Sequence, residues 1–162
     1  MINLIIKEIG KYYNEYSAGI SSFHKSLSEL GNAVSESTFA LKNSIYFGEK
    51  ISYYDNIGIN RLLIPNMDES EMKKFYSMII EPIKNYDKEF NSELLKTVIY
   101  FVKNDGNYKK TADELYQHQN TIRYKIKVVR TILNMENSNI DFYTSISLAI
   151  KIGILLKNIH IS

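Results

Sequence analysis

A chain of 162 residues with 44% apolar and 23% charged side chains is long enough for one domain, or two small ones, with a real hydrophobic core. The absence of cysteine excludes disulfides and thiolate metal sites. The formal net charge of +2 hides an asymmetry: residues 1–91 carry ten Lys and Arg against twelve Asp and Glu, whereas residues 92–162 carry ten against six. The basic character is therefore local to the C-terminal half.

Residues 1–64 predict a small α/β segment. Apolar residues that recur between positions 4 and 13 favour an amphipathic helix. Residues 16–21 and 51–54 favour two short strands. Two strands alone are marginally stable, which indicates that the other strands of the sheet are absent from this chain.

The helix between these strands is expected to begin at a cap formed by Ser26 or Ser28 and to end near Tyr46. Its apolar residues predict the face that packs inward. They are Leu27, Leu30, Val34, Phe39 (or Thr38) and Leu41.

Residues 65–162 predict a helical domain, and the boundary is expected within 56–70. A short helix over residues 57–63 precedes Pro65. Asp68 is then expected to cap a helix whose first turn carries Glu69 and Glu71, where the helix dipole favours acids. This helix is expected to stop at Glu81-Pro82, where a new helix of one or two turns begins.

Two further helices are expected in this domain. One begins at Asn91 or Ser92 and ends near Gly106, which suits a left-handed C-cap. Its expected inner stripe is Leu94, Leu95, Val98, Ile99 and Val102. The last helix opens at Asp141 and is apolar nearly all round, so more than one side must be covered. A core helix is the first interpretation and a dimer helix the second.

The stretch 107–133 predicts a short helix, a turn and a longer helix. Asn107 can cap the first helix, residues 116–118 break the pattern, and the second helix begins near Gln119. Its inward stripe is expected to be Ile122, Ile126, Val129 and Leu133. The side chains expected to face away are Asn120, Arg123, Tyr124, Lys127 and Arg130.

This longer helix has the chemistry of a recognition helix in a DNA-binding helix-turn-helix. From Gln119 to Arg130 there are four cations (Arg123, Lys125, Lys127 and Arg130) and no acid. Amide and guanidinium groups can read base edges, while cations and hydroxyls contact phosphates. The candidate DNA contacts are Lys109, Lys110, His118, Gln119, Asn120, Thr121, Arg123, Tyr124 and Lys127.

The candidates have different expected roles. The Asn120 amide can pair bidentately with adenine, and Arg123 can read guanine or clamp a phosphate. Contacts to the DNA backbone are expected from Thr121, Tyr124, Lys127, Lys109 and Lys110. Core packing is an equal alternative for Tyr124, and a turn or cap role is an equal alternative to phosphate contact for His118.

Two runs of the sequence, LLKTVIYFVKNDGNYKKTADEL over 94–115 and HQNTIRYKI over 118–126, resemble the C-terminal helix-turn-helix of the PucR-type transcriptional regulators. With the Tyr86-Asp87 pair and residues 142–156, the resemblance covers roughly half of the chain. More weakly, residues 1–64 resemble the end of a GGDEF-like domain, which often precedes this helix-turn-helix. The supporting residues are Gly19-Ile20-Ser21, Tyr53-Tyr54-Asp55, Gly58 and Leu62-Leu63.

Two residues depart from the expected pattern. Gln119 stands where the family usually has Arg, which removes one expected phosphate or guanine contact. Tyr116 occupies the turn position where helix-turn-helices prefer Gly. A Tyr there requires a backbone that avoids positive φ, so a non-standard turn is expected.

The resemblance implies a mainly α-helical fragment of a bacterial regulator that binds double-stranded DNA. A homodimer is expected because two-fold pairing matches a palindromic operator. No metal or cofactor is expected, since His24, His118 and His160 lack ligand spacing, and a cytoplasmic location is expected. A small-molecule effector would bind outside this chain. An enzyme is disfavoured, because the part that would carry a cyclase signature is absent. No signal peptide or membrane span is expected, since charges interrupt each apolar run. The alternative function is a protein-interaction or dimerisation module that does not bind DNA.

Overall fold

The computed structural model describes residues 2–67 and 70–159. It is mainly α-helical, as predicted. The helices are α1 (Ile2–Tyr12), α2 (Leu30–Phe47), α3 (Asn60–Leu63), α4 (Ser70–Phe90), α5 (Leu94–Lys103), α6 (Tyr108–Glu114), α7 (Gln119–Ile132) and α8 (Asn139–Leu155), and the strands are β1 (Ala18–Ile20) and β2 (Ile51–Tyr53). The chain divides into two compact units, residues 1–66 and 67–162. None of the described helices has the length and apolarity needed to cross a bilayer.

The first unit is built on a parallel pair of strands. β1 and β2 align Ala18 with Ile51 and Ile20 with Tyr53, and α2 connects them and packs on β1. Gly19 makes this packing possible, because a Cβ at that position would overlap the backbone of Leu41 and Ser37. Both strands lie where the sequence predicts them, although each has only three residues.

The predicted inner face of α2 is wrong. Leu27, Leu30 and Val34 are exposed, whereas the buried side chains on α2 are Ala40, Asn43 and Ser44. Polar groups can be buried here because they are hydrogen-bonded. Asn43 donates to the Ser52 hydroxyl at 3.0 Å, Asn60 donates to Asn43 at 2.6 Å, and the Ser44 hydroxyl donates to the Glu49 carbonyl at 2.6 Å. Through Asn43, this network links the buried face of α2 to β2 and α3.

The cap before α2 is at Ser26, one of the two predicted positions. Its side chain accepts from the Ser28 N–H and begins a short 3₁₀ turn, Leu27–Glu29, that leads into α2. The helix ends at Gly48, which has a φ of 69°.

In the second unit, α4 runs through Pro82 without a break, so the predicted stop at Glu81-Pro82 is wrong. A proline inside a helix costs about 3 kcal/mol. The buried residues Tyr76, Ile79, Ile80 and Ile83 flank it. Each such side chain contributes roughly 1.5–3 kcal/mol on burial, so packing outweighs the local penalty. Glu71 lies in the first turn as predicted, whereas Asp68 and Glu69 lie outside the described residues.

The start of α5 is stabilised by a carboxylate from the end of α4. Neither Asn91 nor Ser92 caps it. Instead the carboxylate of Asp87 accepts from the N–H groups of Leu94 at 2.7 Å and Leu95 at 2.9 Å, and from the Ser92 hydroxyl at 2.5 Å. The face that α5 buries is also rotated from the prediction, to Leu94, Thr97, Val98 and Phe101. Gly106 has the predicted left-handed conformation, with a φ of 74°.

The last helix, α8, begins earlier than predicted, at a cap where Ser138 accepts from the Asp141 N–H at 3.1 Å. It packs against α4 and α5. Its buried residues are Phe142, Ile146, Ala149, Ile150, Ile152, Gly153, Ile154 and Leu155. The expectation that more than one side is covered is confirmed within this unit, and α8 is a core helix.

Candidate nucleic-acid interface

The helix-turn-helix forms where the sequence predicts it, and a side chain caps each of its helices. Asn107 Oδ1 accepts from the Lys110 N–H at 3.0 Å at the start of α6. At the start of α7, His118 Nδ1 accepts from the Asn120 N–H at 3.2 Å. Of the two roles open for His118, the structure shows the cap. The first turn of α7 carries no acid, so its helix dipole is open to an anion.

The prediction for Tyr116 is wrong. Its φ is 52°, in the left-handed region that helix-turn-helices usually fill with glycine. The N–H of Tyr116 donates to the Asp113 carbonyl at 3.3 Å and that of Gln117 to the Ala112 carbonyl at 3.0 Å. These two bonds form a Schellman motif that ends α6.

The apolar side of α7 is fixed in the core of the unit. Ile122, Ile126 and Val129 are buried as predicted, while Leu133 is half-buried. This side of α7 packs against α5 and α6. The opposite side therefore has a defined orientation toward solvent.

The candidate contacts lie mainly on that solvent side. The exposed residues are Lys109, Lys110, His118, Asn120, Thr121, Arg123, Tyr124 and Lys127, and Gln119 is half-buried. Tyr124 is 66% exposed, which favours an interface role over core packing. Arg123 connects the two helices, because its guanidinium carbon lies 5.3 Å from the ring centroid of Tyr108, at the start of α6 beside Lys109.

Three of the four cations on α7 have partners inside the unit: Arg123 lies against Tyr108 and stays exposed, whereas Lys125 and Arg130 are turned inward. The Lys125 side chain is 16% exposed, and its Nζ lies 3.7 Å from the Glu93 carboxylate. Arg130 was expected to face away, but it is half-buried, with its guanidinium 4.2 Å from the Phe142 ring centroid and 5.6 Å from that of Tyr143. Arg123 and Lys127 are the cations of α7 that remain on the exposed face, and Lys109 and Lys110 extend it from α6.

Arg123 lies against a cluster of three aromatic rings, Phe101, Tyr108 and Tyr143. Phe101 lies 4.9 Å from Tyr108 and 5.7 Å from Tyr143 between ring centroids. Burial raises the pKa of the Tyr108 hydroxyl, Tyr143 raises it further, and Arg130 and Arg123 offset part of the rise. Tyr108 therefore stays neutral and offers Arg123 an aromatic face.

Residues 94–152 match the family model of the PucR C-terminal helix-turn-helix domain. The chain therefore carries a PucR-type helix-turn-helix domain. It is 30% identical over 142 residues to the proline-responsive transcriptional activator PutR of Bacillus subtilis (strain 168), which is 86% of this chain and 34% of PutR. It is 22% identical over 141 residues to the DNA-binding transcriptional activator AdeR of the same organism, which is 85% of this chain and 33% of AdeR.

The chain spans about a third of the length of both relatives. PutR is named as a transcriptional activator and AdeR as a DNA-binding transcriptional activator. No solved structure matches the chain significantly.

The residues that hold this PucR-type helix-turn-helix in place include several that the sequence reading missed. Glu93 accepts from the Gln117 amide at 3.4 Å, and its carboxylate also lies near Lys125 and Lys96. These partners are up to 32 positions away in sequence, so no local pattern indicates them. In the sequence, Glu93 stands out only as an acid directly before α5, and the helix dipole is a sufficient reason for an acid there.

Proposed function

We propose that this PucR-type chain reads double-stranded DNA by inserting α7 into the major groove. The observation that carries the proposal is the division of α7 into a side with buried Ile122, Ile126 and Val129 and an exposed side with Asn120, Arg123 and Lys127. A helix held in this way presents the same side chains to every duplex, which sequence readout requires.

Each exposed side chain then has a role. Asn120 pairs with adenine, which discriminates by roughly 1–3 kcal/mol. Arg123, held beside Tyr108, reads guanine or clamps a phosphate. Contacts that position the DNA backbone come from Lys109, Lys110, His118, Gln119, Thr121, Tyr124 and Lys127.

We also propose that two copies bind a palindromic operator. A single helix-turn-helix covers limited DNA surface, and two-fold pairing matches the symmetry of such a site. The recognition helices would lie about 34–36 Å apart, one turn of the duplex. Sedimentation with a palindromic duplex measures the stoichiometry, and one copy per duplex would contradict this arrangement.

We assign residues 1–64 to the end of a GGDEF-like domain and residues 65–162 to the helix-turn-helix domain. The parallel β1–β2 pair with α2 as its connection supports the first assignment. The division of the chain into compact units after residue 66 supports the boundary.

We place the action of the protein in the cytoplasm, on chromosomal DNA, and the binding site for any effector outside this chain. PutR is named as proline-responsive, and the chain matches only a third of it. Proline at millimolar concentration should therefore leave the DNA affinity of this chain unchanged.

The test is a fluorescence-anisotropy titration with duplex from the chain's own promoter region and with random duplex, at several salt concentrations. The parent should prefer the promoter and lose affinity steeply as salt rises. The Asn120→Ala, Arg123→Ala double variant should lose the preference. Lys88→Ala, which removes one exposed cation of α4, is the matched control and should keep it.

Two results would count against the proposal. Equal preference for the promoter in the parent and the double variant would overturn the roles of Asn120 and Arg123. No binding to any duplex at low salt would favour the protein-interaction module instead.

A further inference from the structure

The turn of the helix-turn-helix contains a tyrosine in an unusual backbone conformation. Among the described residues, the non-glycine positions with positive φ are Asn91, Asp105, Tyr116, Asn134 and Lys157. Asn and Asp tolerate this region because their short side chains bond locally. Lys157 and Tyr116 lack this explanation, and each closes a helix with the same Schellman pattern of hydrogen bonds. Of these two residues, Tyr116 is the one in the helix-turn-helix.

The fold gains nothing visible from the Tyr116 side chain. Its residue surface is 97% exposed, and within the described part of the chain its ring has no hydrogen bond or aromatic contact. A glycine at this position would form the same Schellman motif without the steric conflict between Cβ and the backbone. Stability therefore favours glycine, and a strained residue that stability does not explain indicates a function.

Tyr116 lies beside the face proposed to enter DNA. It stands two positions before His118, the cap of α7, and four before Asn120. Four residues span at most about 14 Å, so the ring is within reach of the groove that Asn120 would enter. The turn before a recognition helix meets the edge of the groove, where sugars and phosphates lie.

We propose that Tyr116 is a DNA-contact residue, with its ring against a deoxyribose and its hydroxyl donating to a phosphate oxygen. The phenol suits this place, because it has an apolar face and one neutral donor, and tyrosine hydroxyls are among the groups that bond phosphates. The proposal rests on the docking of α7 in the major groove. It adds a further neutral contact to a surface that already includes Thr121 and Tyr124 among its cations and amides.

A neutral contact has a signature that separates it from the cations. Lys and Arg release counterions from DNA, so their loss changes the slope of log affinity against log salt. The loss of Tyr116 should lower affinity at every salt concentration and leave that slope unchanged.

The experiment compares Tyr116→Gly and Tyr116→Phe with the parent by thermal unfolding and by anisotropy with promoter duplex. Tyr116→Gly should raise the unfolding temperature and weaken DNA binding by roughly fivefold, the effect of losing one modest contact. Tyr116→Phe should keep the unfolding temperature of the parent and lose part of the affinity.

Asn134→Gly is the matched control. Asn134 has a φ of 54° at the end of α7. Its N–H donates to the Thr131 carbonyl and the Met135 N–H donates to the Arg130 carbonyl, which is the same motif that Tyr116 forms at the end of α6.

Asn134→Gly should leave DNA affinity unchanged. If Tyr116→Gly bound DNA as tightly as the parent, Tyr116 would not be a contact. If Tyr116→Gly lowered the unfolding temperature, the ring would serve the fold, and the argument from strain would fail. If the parent itself bound no duplex at low salt, the proposed function would fail first, and the inference with it.

Discussion

His118 caps α7, and its side chain is also exposed on the face proposed for DNA. The cap uses Nδ1 as an acceptor for the Asn120 N–H, and Asn120 is the residue assigned to base readout. The backbone position of Asn120 therefore depends on the side chain two positions before it. This dependence links a local hydrogen bond to sequence readout.

We predict that His118→Ala lowers the free energy of unfolding by about 1 kcal/mol, because one N–H at the helix start loses its partner. His118→Asn should restore most of this stability, since Asn is a preferred capping residue. Urea denaturation measures both. Stability equal to the parent in His118→Ala would contradict the cap, and restored stability without restored DNA affinity would identify the imidazole as a contact as well.

At the scale of elements, Glu93 holds α7 against the start of α5. Lys125 on α7 and Gln117 in the turn both reach its carboxylate, while Lys96 lies near it on α5 itself. The Glu93 side chain is half exposed, so each pair is screened by solvent and contributes at most about 1 kcal/mol. Their combined effect is orientation, because they fix the buried edge of the helix that presents Arg123 and Lys127.

We predict that Glu93→Gln lowers the stability of the fold and raises the affinity for random duplex. The free energy of unfolding should fall by less than about 1 kcal/mol, because the ion pairs are lost. Affinity for random duplex should rise roughly twofold at low salt, since removal of an acid frees Lys125 to attract phosphate. The ratio of promoter to random affinity should fall. Glu71→Gln, which makes the same change of charge in the first turn of α4, should not alter this ratio.

The elements show where sequence reasoning works. The caps at Asn107 and Ser26 and the stripe of Ile122, Ile126 and Val129 were predictable, because each depends on residues within one or two helical turns. The exposed face of α7 followed from the same periodicity.

The failures have a common physical cause, which is the dominance of distant contacts over local preference. α2 buries Asn43 because partners on β2 and α3 satisfy it. α4 continues through Pro82 because the core covers both sides of that residue. Arg130 turns toward Phe142, which follows it by 12 positions. None of these partners can be identified from the residues around the site.

At the scale of the whole molecule, the chain divides into two compact units, and the first contains a hydrogen-bonded carboxylate that responds to acid. In residues 1–66, Glu36 accepts from the Ser22 hydroxyl at 2.5 Å, from the Ser22 N–H at 2.9 Å, and lies 3.0 Å from His24 Nε2. Burial alone would raise the pKa of Glu36, but the bonds from Ser22 and His24 bring it below the ordinary value. Glu29 is a further acid facing His24, at 3.7 Å.

We predict that residues 1–66 lose stability in acid through this group. A carboxyl with a lowered pKa in the folded state stabilises the protein above its unfolded pKa, and this contribution disappears as pH falls through the folded value. Glu36→Gln should therefore flatten the acid limb of a plot of unfolding free energy against pH. The exposed Glu15→Gln is the control. An acid limb as steep in Glu36→Gln as in the parent would exclude this origin.

The separate core of residues 67–162 also has a consequence for engineering. Both helices that carry the face proposed for DNA, α6 and α7, belong to this unit, together with their caps and the aromatic rings beside Arg123. Such a unit should fold when it is joined to a different protein. Grafted after Asn66 onto an unrelated ligand-controlled dimeriser, it should carry its operator preference into a synthetic switch whose input is chosen freely. Reporter expression from the native promoter would then follow the foreign ligand.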